Sequence, residues 1–466
     1  MTTDNIILKT DSYKQSHYKQ YPPRTETVYS YIESRGGKFE NMVFFGPQAF
    51  IKANLLKPVR AEQVDFAEKI VTAHGFEFNR KGWDYIVNEL GGKLPIKISA
   101  MPEGTVMPVG IPVLTIENTD PKCFWLTSFL ETALLRAVWY PSTVATISWH
   151  ARQTIYKYLQ ETCDNPDAEI DFKLHDFGAR GVSSGESASL GGLAHLINFM
   201  GTDTMEALIA AIEFYNATGP VGFSIPAAEH STITSWGKEN EANAYRNMLY
   251  QFSNPERAPD SMQPLIAVVS DSYDIFNAVS NIWGKELIDE VISSRSRVVI
   301  RPDSGNPVAV VLDVLNRLGA TFGFTLNNKG FKVLHNSVRV IQGDGINLDS
   351  IENILSTMKI NNWSAENIAF GMGGMLLQGM NRDTMQWAMK CSAIKINGEW
   401  QDVYKDPITS SAKKSKRGRF SVVRENGIIK CKSLGSESLL RTIYENGELL
   451  VDENFDTIRQ RAKGLI

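Results

Sequence analysis

A cation and a carboxylate stand two residues apart in the segment Arg297–Pro307, RVVIRPDSGNP. The apolar VVI run is typical of a buried strand. Because side chains two residues apart in an extended chain share a face, Arg301 and Asp303 are predicted to lie side by side. Pro302 favours extended backbone in the residue before it, and the following Gly-Asn-Pro turns the chain. The segment therefore presents charged groups at the C-terminal end of a strand.

Carboxylates recur at the ends of other apolar runs. Asp271, Asp303 and Asp344 follow three different predicted strands, and together they could bind ribose hydroxyls and Mg²⁺, as a phosphorylated sugar requires. Capping of a helix N-terminus is the alternative for Asp271. His230, beside Glu229, could titrate or act as a nucleophile, although a single histidine is more often structural.

Glycine turns and an aromatic residue add to this pattern. Gly371–Gly374 (GMGG) and Gly343–Gly345 (GDG) follow apolar runs, and glycines there let backbone N–H groups approach a phosphate. Phe177 and Arg180 could offer a flat ring an aromatic face beside a cation, although a core phenylalanine is the simpler interpretation. The HDFG motif occurs without the other protein-kinase signatures, so we do not expect a protein kinase. No GxxxxGK[ST] motif is present, which argues against a P-loop nucleotidase.

Cations are spread along the chain, and each acts at a site only if the fold gathers it. They are Arg35, Arg301, Arg382, Lys390 and Lys405. Lys405 begins the basic stretch Lys405–Phe420, which is typical of a solvated loop. A mobile cationic flap over an anion is the functional alternative.

Strand and helix patterns alternate from residue 170 and predict a parallel sheet. The strand-bearing segments are 171–181, 220–231, 264–274, 297–305, 338–345 and 367–374, with helices predicted at 204–217, 275–293, 308–318 and 348–359. Chemistry at each strand's C-terminal end favours a (β/α) barrel, with an open doubly wound sheet as the alternative. Upstream, alternation predicts a strand at Thr27–Arg35 and several short strands within Leu94–Asn118.

The composition of the chain argues against several classes of protein. The 466 residues are 21% charged and 43% hydrophobic, with a net charge of -4, so bulk electrostatics give no case for a nucleic-acid binder. No apolar run approaches a membrane span, and no secretory signal is visible. Four scattered cysteines without a CxxC pair argue against a zinc or disulfide framework. We therefore expect a cytoplasmic protein without nucleic-acid or membrane partners.

The chain resembles the nicotinamide phosphoribosyltransferases, type II phosphoribosyltransferases of NAD salvage. The resemblance rests on long motifs in order along nearly the whole chain: TDSYKQSHYKQYPP, VYSYIESR, KLHDFGARGVSS, GTDT, PAAEHSTITSWGK, VVSDSYDI, RPDSGNP, VIQGDG, NIAFGMGG and VYKDP. It implies an α/β barrel at 161–392 and a second α+β domain built from 1–160 and 393–466. It also implies a homodimer with shared active sites.

The resemblance further implies that phosphoribosyl pyrophosphate and nicotinamide give nicotinamide mononucleotide and pyrophosphate. Mg²⁺ would bind through substrate phosphates, and no tightly bound organic cofactor is expected. ATP would phosphorylate His230, near Glu229 and Asp271, which favours product formation without being strictly required.

Roles for the remaining residues follow from the same resemblance. Phe177 and the other subunit's Tyr13 would sandwich the pyridine ring, with Arg180 nearby. Asp203 and Arg301 would bind the carboxamide. Asp303, Gly343 and Asp344 would hold the ribose, Gly373 and Gly374 the 5′-phosphate, and Arg35, Arg382, Lys390 and Lys405 the pyrophosphate.

The residues around the predicted base pocket bear on which base is used. An Asp203 carboxylate would repel nicotinate, so we expect nicotinamide to be preferred. Nicotinate phosphoribosyltransferase, or a non-catalytic binding or signalling protein on the same fold, is the alternative. Met372 and Met375 depart from the small residues expected beside the glycines, which could alter the pocket rim.

Overall fold

A computed structural model describes residues 4–253, 263–409, 414–435 and 437–465. The chain divides into two compact units. The first unit comprises Met1–Thr146, Ile209–Gly219 and Met380–Ile466, and the second comprises Ile147–Leu208 and Pro220–Gly379. The domain boundaries predicted from the sequence, 160/161 and 392/393, fall inside a helix and a strand respectively.

The strands are short and distributed over the whole chain. They are β1 (Thr25–Ser34), β2 (Asn41–Val43), β3 (Ile96–Ala100), β4 (Val106–Pro108), β5 (Pro112–Asn118), β6 (Leu174–Asp176), β7 (Gly201–Thr202), β8 (Leu265–Val269), β9 (Arg297–Arg301), β10 (Phe324–Leu326), β11 (Lys332–Leu334), β12 (Val338–Gln342), β13 (Ile368–Met372), β14 (Trp387–Ile396), β15 (Glu399–Asp402), β16 (Phe420–Glu425), β17 (Ile428–Ser433), β18 (Arg441–Glu445) and β19 (Glu448–Leu449).

The α-helices range from single turns to one long helix. They are α1 (Pro47–Phe50), α2 (Ala61–Ala73), α3 (Arg80–Glu89), α4 (Leu126–Phe129), α5 (Glu131–Thr162), α6 (Pro166–Glu169), α7 (Gly185–Leu196), α8 (Met205–Tyr215), α9 (His230–Thr234), α10 (Glu241–Phe252), α11 (Ile275–Asn277), α12 (Ile288–Ser293), α13 (Pro307–Phe322), α14 (Leu348–Ile360), α15 (Gly374–Leu377) and α16 (Phe455–Ala462). A 3₁₀ helix spans Ser12–Lys19, and π-helical turns span Ile51–Leu55 and Ala278–Glu286. Among the helices described, none is long and apolar enough to cross a membrane.

The second unit is built on a six-stranded sheet in the order β7-β6-β13-β12-β9-β8. Every adjacent pair in it is parallel. Helices follow the strands, for example α13 after β9 and α14 after β12. The strands β8, β9, β12 and β13 are mostly buried, as expected for a parallel sheet covered on both faces. The predicted α/β fold is confirmed.

A segment without regular strand structure links the two edges of this sheet. Phe223 forms a parallel bridge with Gly201 of β7, and Ala227 forms one with Ala267 of β8. The sheet is therefore barrel-like, as the sequence predicted. The strand predicted within 220–231 is wrong, because Pro226 has no N–H to donate to a ladder. The two-residue strand β7 was not predicted.

Alternate residues of the strands fill the barrel interior. Ala267, Val299 and Ile341, from β8, β9 and β12, form one buried cluster. The side chains packed against them are those of Phe177, Ile225 and Ala369. The barrel is thus a filled core below its C-terminal loops, which leaves those loops to bind a ligand.

The first unit contains an antiparallel sheet of seven strands, ordered β15-β14-β1-β5-β3-β18-β19. Its interior strand β1 pairs with β14 on one side and β5 on the other. Because β1 and β14 lie near opposite ends of the chain, the sheet joins N- and C-terminal segments. The predicted second α+β domain built from both ends is confirmed.

Candidate functional site

Three carboxylates and a histidine gather at the C-terminal ends of the barrel strands. Burial raises the pKa of Asp303, and the negative charges of Asp271 and Asp344 act in the same direction. The charges of Arg301 and His230 oppose this shift. Arg301 Nε lies 3.8 Å from Asp303 Oδ1. The fold therefore brings residues that are far apart in the sequence close enough for their charges to affect the pKa of Asp303.

His230 is the first residue of α9 and is held by a carboxylate. Its Nε2 lies 2.9 Å from Asp271 Oδ1, and Ser304 Oγ donates to Asp271 Oδ2 at 2.5 Å. The Asp271 side chain is 4% exposed, whereas that of His230 is 46% exposed. The N-cap of α11 is Asp274, so the capping alternative for Asp271 does not apply. An accessible imidazole on a fixed carboxylate suits a nucleophile.

Phe177 enters the barrel mouth because glycines make room for its ring. A Cβ on Gly371 would lie 1.9 Å from ring carbon Cε2 of Phe177. A Cβ on Gly343 would lie 3.3 Å from the same carbon and 3.2 Å from Asp303 Oδ1. These two glycines therefore allow the aromatic ring and the Asp303 carboxylate to meet at one place.

Asp203 follows β7 and lies in a hydrogen-bonded setting. His175 Nε2 is 3.0 Å from its Oδ1, and Ser224 Oγ donates to the same oxygen at 2.5 Å. Burial would raise the pKa of Asp203, but these hydrogen bonds and the charge of Arg301 outweigh burial and lower it. The lowered pKa favours Asp203 as an ionised acceptor, and the charge of Arg301 contributes to that shift. The sequence interpretation missed the contributions of His175 and Ser224, whose only signal was their place in strand-end segments.

The glycine loop leads into the short helix α15. Gly373 is its N-cap, and a Cβ on Gly374 would meet no heavy atom within 4 Å. Met372 is 1% exposed at the end of β13, whereas Met375 is 49% exposed. Met372 therefore belongs to the core, and Met375 is the methionine that lies at the surface. Arg180 is exposed just beyond the HDFG turn.

The first unit gathers a separate set of cations. Burial lowers the pKa of Lys390 on β14, and three neighbouring cations lower it further against the opposing charge of Glu131. These neighbours are Arg35, Arg382 and Lys405. The other three cations predicted to bind pyrophosphate therefore lie within electrostatic reach of Lys390, and such a cluster suits a polyanion.

Glu33 supports one member of this cation cluster. Arg35 Nε lies 3.4 Å from Glu33 Oε1, and the Nζ atom of Lys416 lies 2.5 Å from Glu33 Oε2. Within the described residues, Arg35 Nη2 is buried without a hydrogen-bond partner. The cluster thus retains a donor that an anion could satisfy.

Tyr13 lies in the 3₁₀ helix of the first unit. Its side chain is 57% exposed, and its ring meets that of His17 at a centroid distance of 4.9 Å. Neighbouring Lys14 is anchored by Glu131 at 2.6 Å. An exposed aromatic ring on an anchored segment could stack on a flat ligand.

No group of three or more His, Cys, Asp or Glu side chains in the described parts of the chain is arranged to hold a metal ion.

Comparison with known proteins decides the family. The sequence model of the nicotinate phosphoribosyltransferase family matches residues 172–448, and that of the nicotinamide phosphoribosyltransferase N-terminal domain matches residues 5–98. The chain belongs to the nicotinate phosphoribosyltransferase family. A nicotinamide phosphoribosyltransferase of Xanthomonas campestris pv. campestris is 51% identical over 98% of both chains. One of Acinetobacter baylyi is 32% identical over 98% of this chain and 97% of that protein.

Solved structures share the fold of this chain at low sequence identity. A nicotinate-nucleotide pyrophosphorylase from Pyrococcus furiosus is 18% identical, with a TM-score of 0.62 over 100% of this chain and 96% of that one. Human nicotinic acid phosphoribosyltransferase is 15% identical, with a TM-score of 0.55 over 98% and 93%. These likenesses support the phosphoribosyltransferase fold.

Proposed function

We propose that this chain transfers the phosphoribosyl group of phosphoribosyl pyrophosphate to nicotinamide, giving nicotinamide mononucleotide and pyrophosphate. The observation that supports this most directly is the Asp203 carboxylate, which is held at the end of β7 by His175 and Ser224 and whose pKa the charge of Arg301 helps to lower. A carboxamide offers an N–H donor and a carbonyl acceptor, which match a carboxylate and a guanidinium respectively. Relatives covering almost the whole chain are named for the same activity. We place the reaction in the cytoplasm, as expected from composition.

The proposed chemistry demands positioning more than proton transfer. The pyridine nitrogen attacks C1 of the ribose while the bond from C1 to the pyrophosphate oxygen breaks. Because that nitrogen carries no proton, the step needs no general base. Phe177 would orient the ring, and Asp303 and Asp344 would hold ribose hydroxyls that donate to them. Gly343 leaves room for this contact, and Gly373 and Gly374 would bind the 5′-phosphate.

Charge grows on the leaving pyrophosphate as the bond breaks. The cluster around Lys390 would stabilise it, since fixed cations are most effective where charge develops. Mg²⁺ bound to the substrate phosphates would supply further neutralisation. The burial of Lys390 and the unpartnered Arg35 nitrogen support this role.

We also propose that ATP phosphorylates His230. The support is its exposed imidazole, fixed through Nε2 by the buried Asp271. Ser304 holds the second oxygen of that carboxylate. Hydrolysis of the phosphorylated enzyme would then favour product formation.

The homodimer is a further proposal. Tyr13 is exposed in the first unit, and we expect it to stack on the base bound by the other subunit. The pyrophosphate-binding cations would also act in part across the dimer. A closed two-fold assembly with shared sites would make each subunit depend on its neighbour.

Nicotinate phosphoribosyltransferase is the second candidate, because the longer of the two family matches carries that name. The test offers nicotinamide or nicotinate with phosphoribosyl pyrophosphate and Mg²⁺, with and without ATP, and measures mononucleotide and pyrophosphate. We expect product from nicotinamide, increased by ATP. Turnover of nicotinate alone would establish the second candidate. Absence of turnover with either base would favour a non-catalytic binding or signalling protein.

A further inference from the structure

Asp176 is a fully buried carboxylate to which the proposed chemistry gives no role. It is the last residue of β6 and is 0% exposed. Its Oδ1 accepts from the N–H of Gly178 at 2.8 Å. Its Oδ2 accepts from the hydroxyls of Thr204 at 2.7 Å and Thr202 at 3.2 Å. Because a buried carboxylate is costly unless hydrogen bonds satisfy it, these contacts fix its position.

The partners of Asp176 enclose the two residues assigned to the base. Phe177 lies between Asp176 and Gly178, and Asp203 lies between Thr202 and Thr204. The backbone N–H of Asp203 also donates to the carbonyl oxygen of Asp176 at 3.0 Å. One side chain therefore ties the loop after β6 to the loop after β7, on both sides of each base-binding residue.

Helix α7 supports this arrangement through a glycine. A Cβ on Gly192 would lie 3.1 Å from Asp176 Oδ2 and 2.9 Å from Cβ of Ala207. It would also lie 3.1 Å from Cγ2 of Thr204. Contacts of about 3 Å are tighter than carbon and oxygen atoms normally adopt, so a larger residue would press on the carboxylate and on Thr204.

We propose that Asp176 is a positioning residue that sets the Phe177 ring and the Asp203 carboxylate relative to each other, and thereby selects a flat ring bearing a carboxamide. This proposal rests on the proposed function, since it uses the base-binding roles of Phe177 and Asp203. Asp176 acts through its neighbours and is not expected to touch the substrate. Loss of its hydrogen bonds should therefore affect the base more than the phosphorylated donor.

The primary test replaces Thr204 by valine, which keeps the shape of the side chain and removes one donor to Asp176. We expect the KM for nicotinamide to rise about 10-fold, the scale of one lost hydrogen bond to a charged group. The KM for phosphoribosyl pyrophosphate should stay unchanged, and the preference for nicotinamide over nicotinate should fall. Thr162→Val is the matched control, because Thr162 is also buried but bonds Tyr158 and Ala365.

A second pair of variants tests the same network by steric pressure. Gly192→Ala should raise the KM for nicotinamide, whereas Gly185→Ala on the same helix should not, since a Cβ there meets no heavy atom within 4 Å. Asp176→Asn should retain more selectivity than Asp176→Ala, because threonine hydroxyls can also accept from an amide. Thermal unfolding of every variant separates a selective effect from general destabilisation.

The outcomes distinguish this assignment from the proposed function. If the wild type makes nicotinamide mononucleotide while Thr204→Val and Asp176→Ala keep its selectivity and nicotinamide KM, the positioning role is overturned. Equal changes in the KM values of base and donor, with reduced stability, would also overturn it. If calorimetry and turnover show that the wild type does not use nicotinamide, the proposed function fails and this assignment fails with it.

Discussion

The Asp203 carboxylate receives two side-chain hydrogen bonds on one oxygen, from His175 and Ser224. In Asp203→Asn the negative charge is lost but an acceptor remains. We therefore expect nicotinamide to remain a substrate and the kcat/KM for nicotinate to rise at least about 10-fold, because a like-charge repulsion disappears. Competition between the two bases in one reaction measures the change directly.

A matched control for this charge change is Asp313→Asn. Asp313 pairs with Arg317 along α13 at 3.0 Å. It should leave the ratio of the two bases unchanged. If Asp203→Asn excludes nicotinate as strongly as the wild type does, Asp203 is not the selector.

His230 permits a second prediction at the residue scale. His230→Ala should retain the transfer measured without ATP and lose the increase that ATP produces, because the proposed phosphate acceptor is absent. Initial rates with and without ATP, together with retention of label from γ-labelled ATP, measure this. His74→Ala at an exposed position is the control. An ATP effect that survives in His230→Ala would assign the coupling to another group.

The sequence identified residues that follow apolar runs, and the fold brings them together. Arg301, Asp303 and Asp271 could be selected because parallel strands end at one edge of a sheet. Asp176 could not, because a carboxylate inside a core depends on partners such as Thr202 and Thr204 that are distant in the sequence. The roles assigned through the resemblance stay predictions until the variants are measured.

At the scale of elements, Lys390 lies on β14, and the residues that shift its pKa come from several elements of the first unit. Because burial and neighbouring cations lower its pKa, the ammonium charge is lost as pH rises, at a lower pH than for an ordinary lysine. We expect the KM for phosphoribosyl pyrophosphate to increase on this alkaline side. A pH series of KM measures the midpoint.

Neighbouring charge can be varied independently of Lys390. In Arg382→Gln one cation that lowers the Lys390 pKa is removed, so the alkaline midpoint should move to higher pH although binding is weaker overall. Arg424→Gln, at an exposed position of β16, should not move the midpoint. A midpoint that is the same in all three proteins would show that another group controls donor binding.

Strand prediction succeeded where a run was apolar and free of proline. The runs that form β8, β9, β12 and β13 meet that condition. Strand β7 has two residues, too few for a periodic pattern. The closing segment 223–227 makes backbone bonds at isolated points, and Pro226 contributes only its carbonyl, to Ala267.

At the scale of the whole molecule, Tyr13 belongs to the first unit and Asp303 to the second. If active sites are shared in a homodimer, Tyr13→Ala and Asp303→Ala should each be inactive alone. Their heterodimer would contain one intact site, so random mixing should restore about a quarter of wild-type activity. Co-expression with two purification tags isolates the mixed species for assay.

The matched control for complementation mixes subunits that carry Asp303→Ala with subunits that carry Asp344→Ala. Both residues lie in the second unit and are assigned to the same ribose, so every mixed site lacks a carboxylate. Recovery in the control, or absence of recovery in the test pair, would contradict shared sites. The sequence predicted the barrel and the domain joining both chain ends, whereas any assembly of subunits would depend on surfaces that carry no periodic pattern.

The bridges from Phe223 to Gly201 and from Ala227 to Ala267 have a consequence for aggregation. This segment occupies backbone groups that would otherwise stay open on the outermost strands of a parallel sheet. Unpaired strand edges recruit other chains. A single proteolytic cut within 223–227 would therefore separate the bridge to β7 from the bridge to β8. We expect such a cut to expose the outer edges of β7 and β8 and to promote self-association, even with the rest of the chain intact.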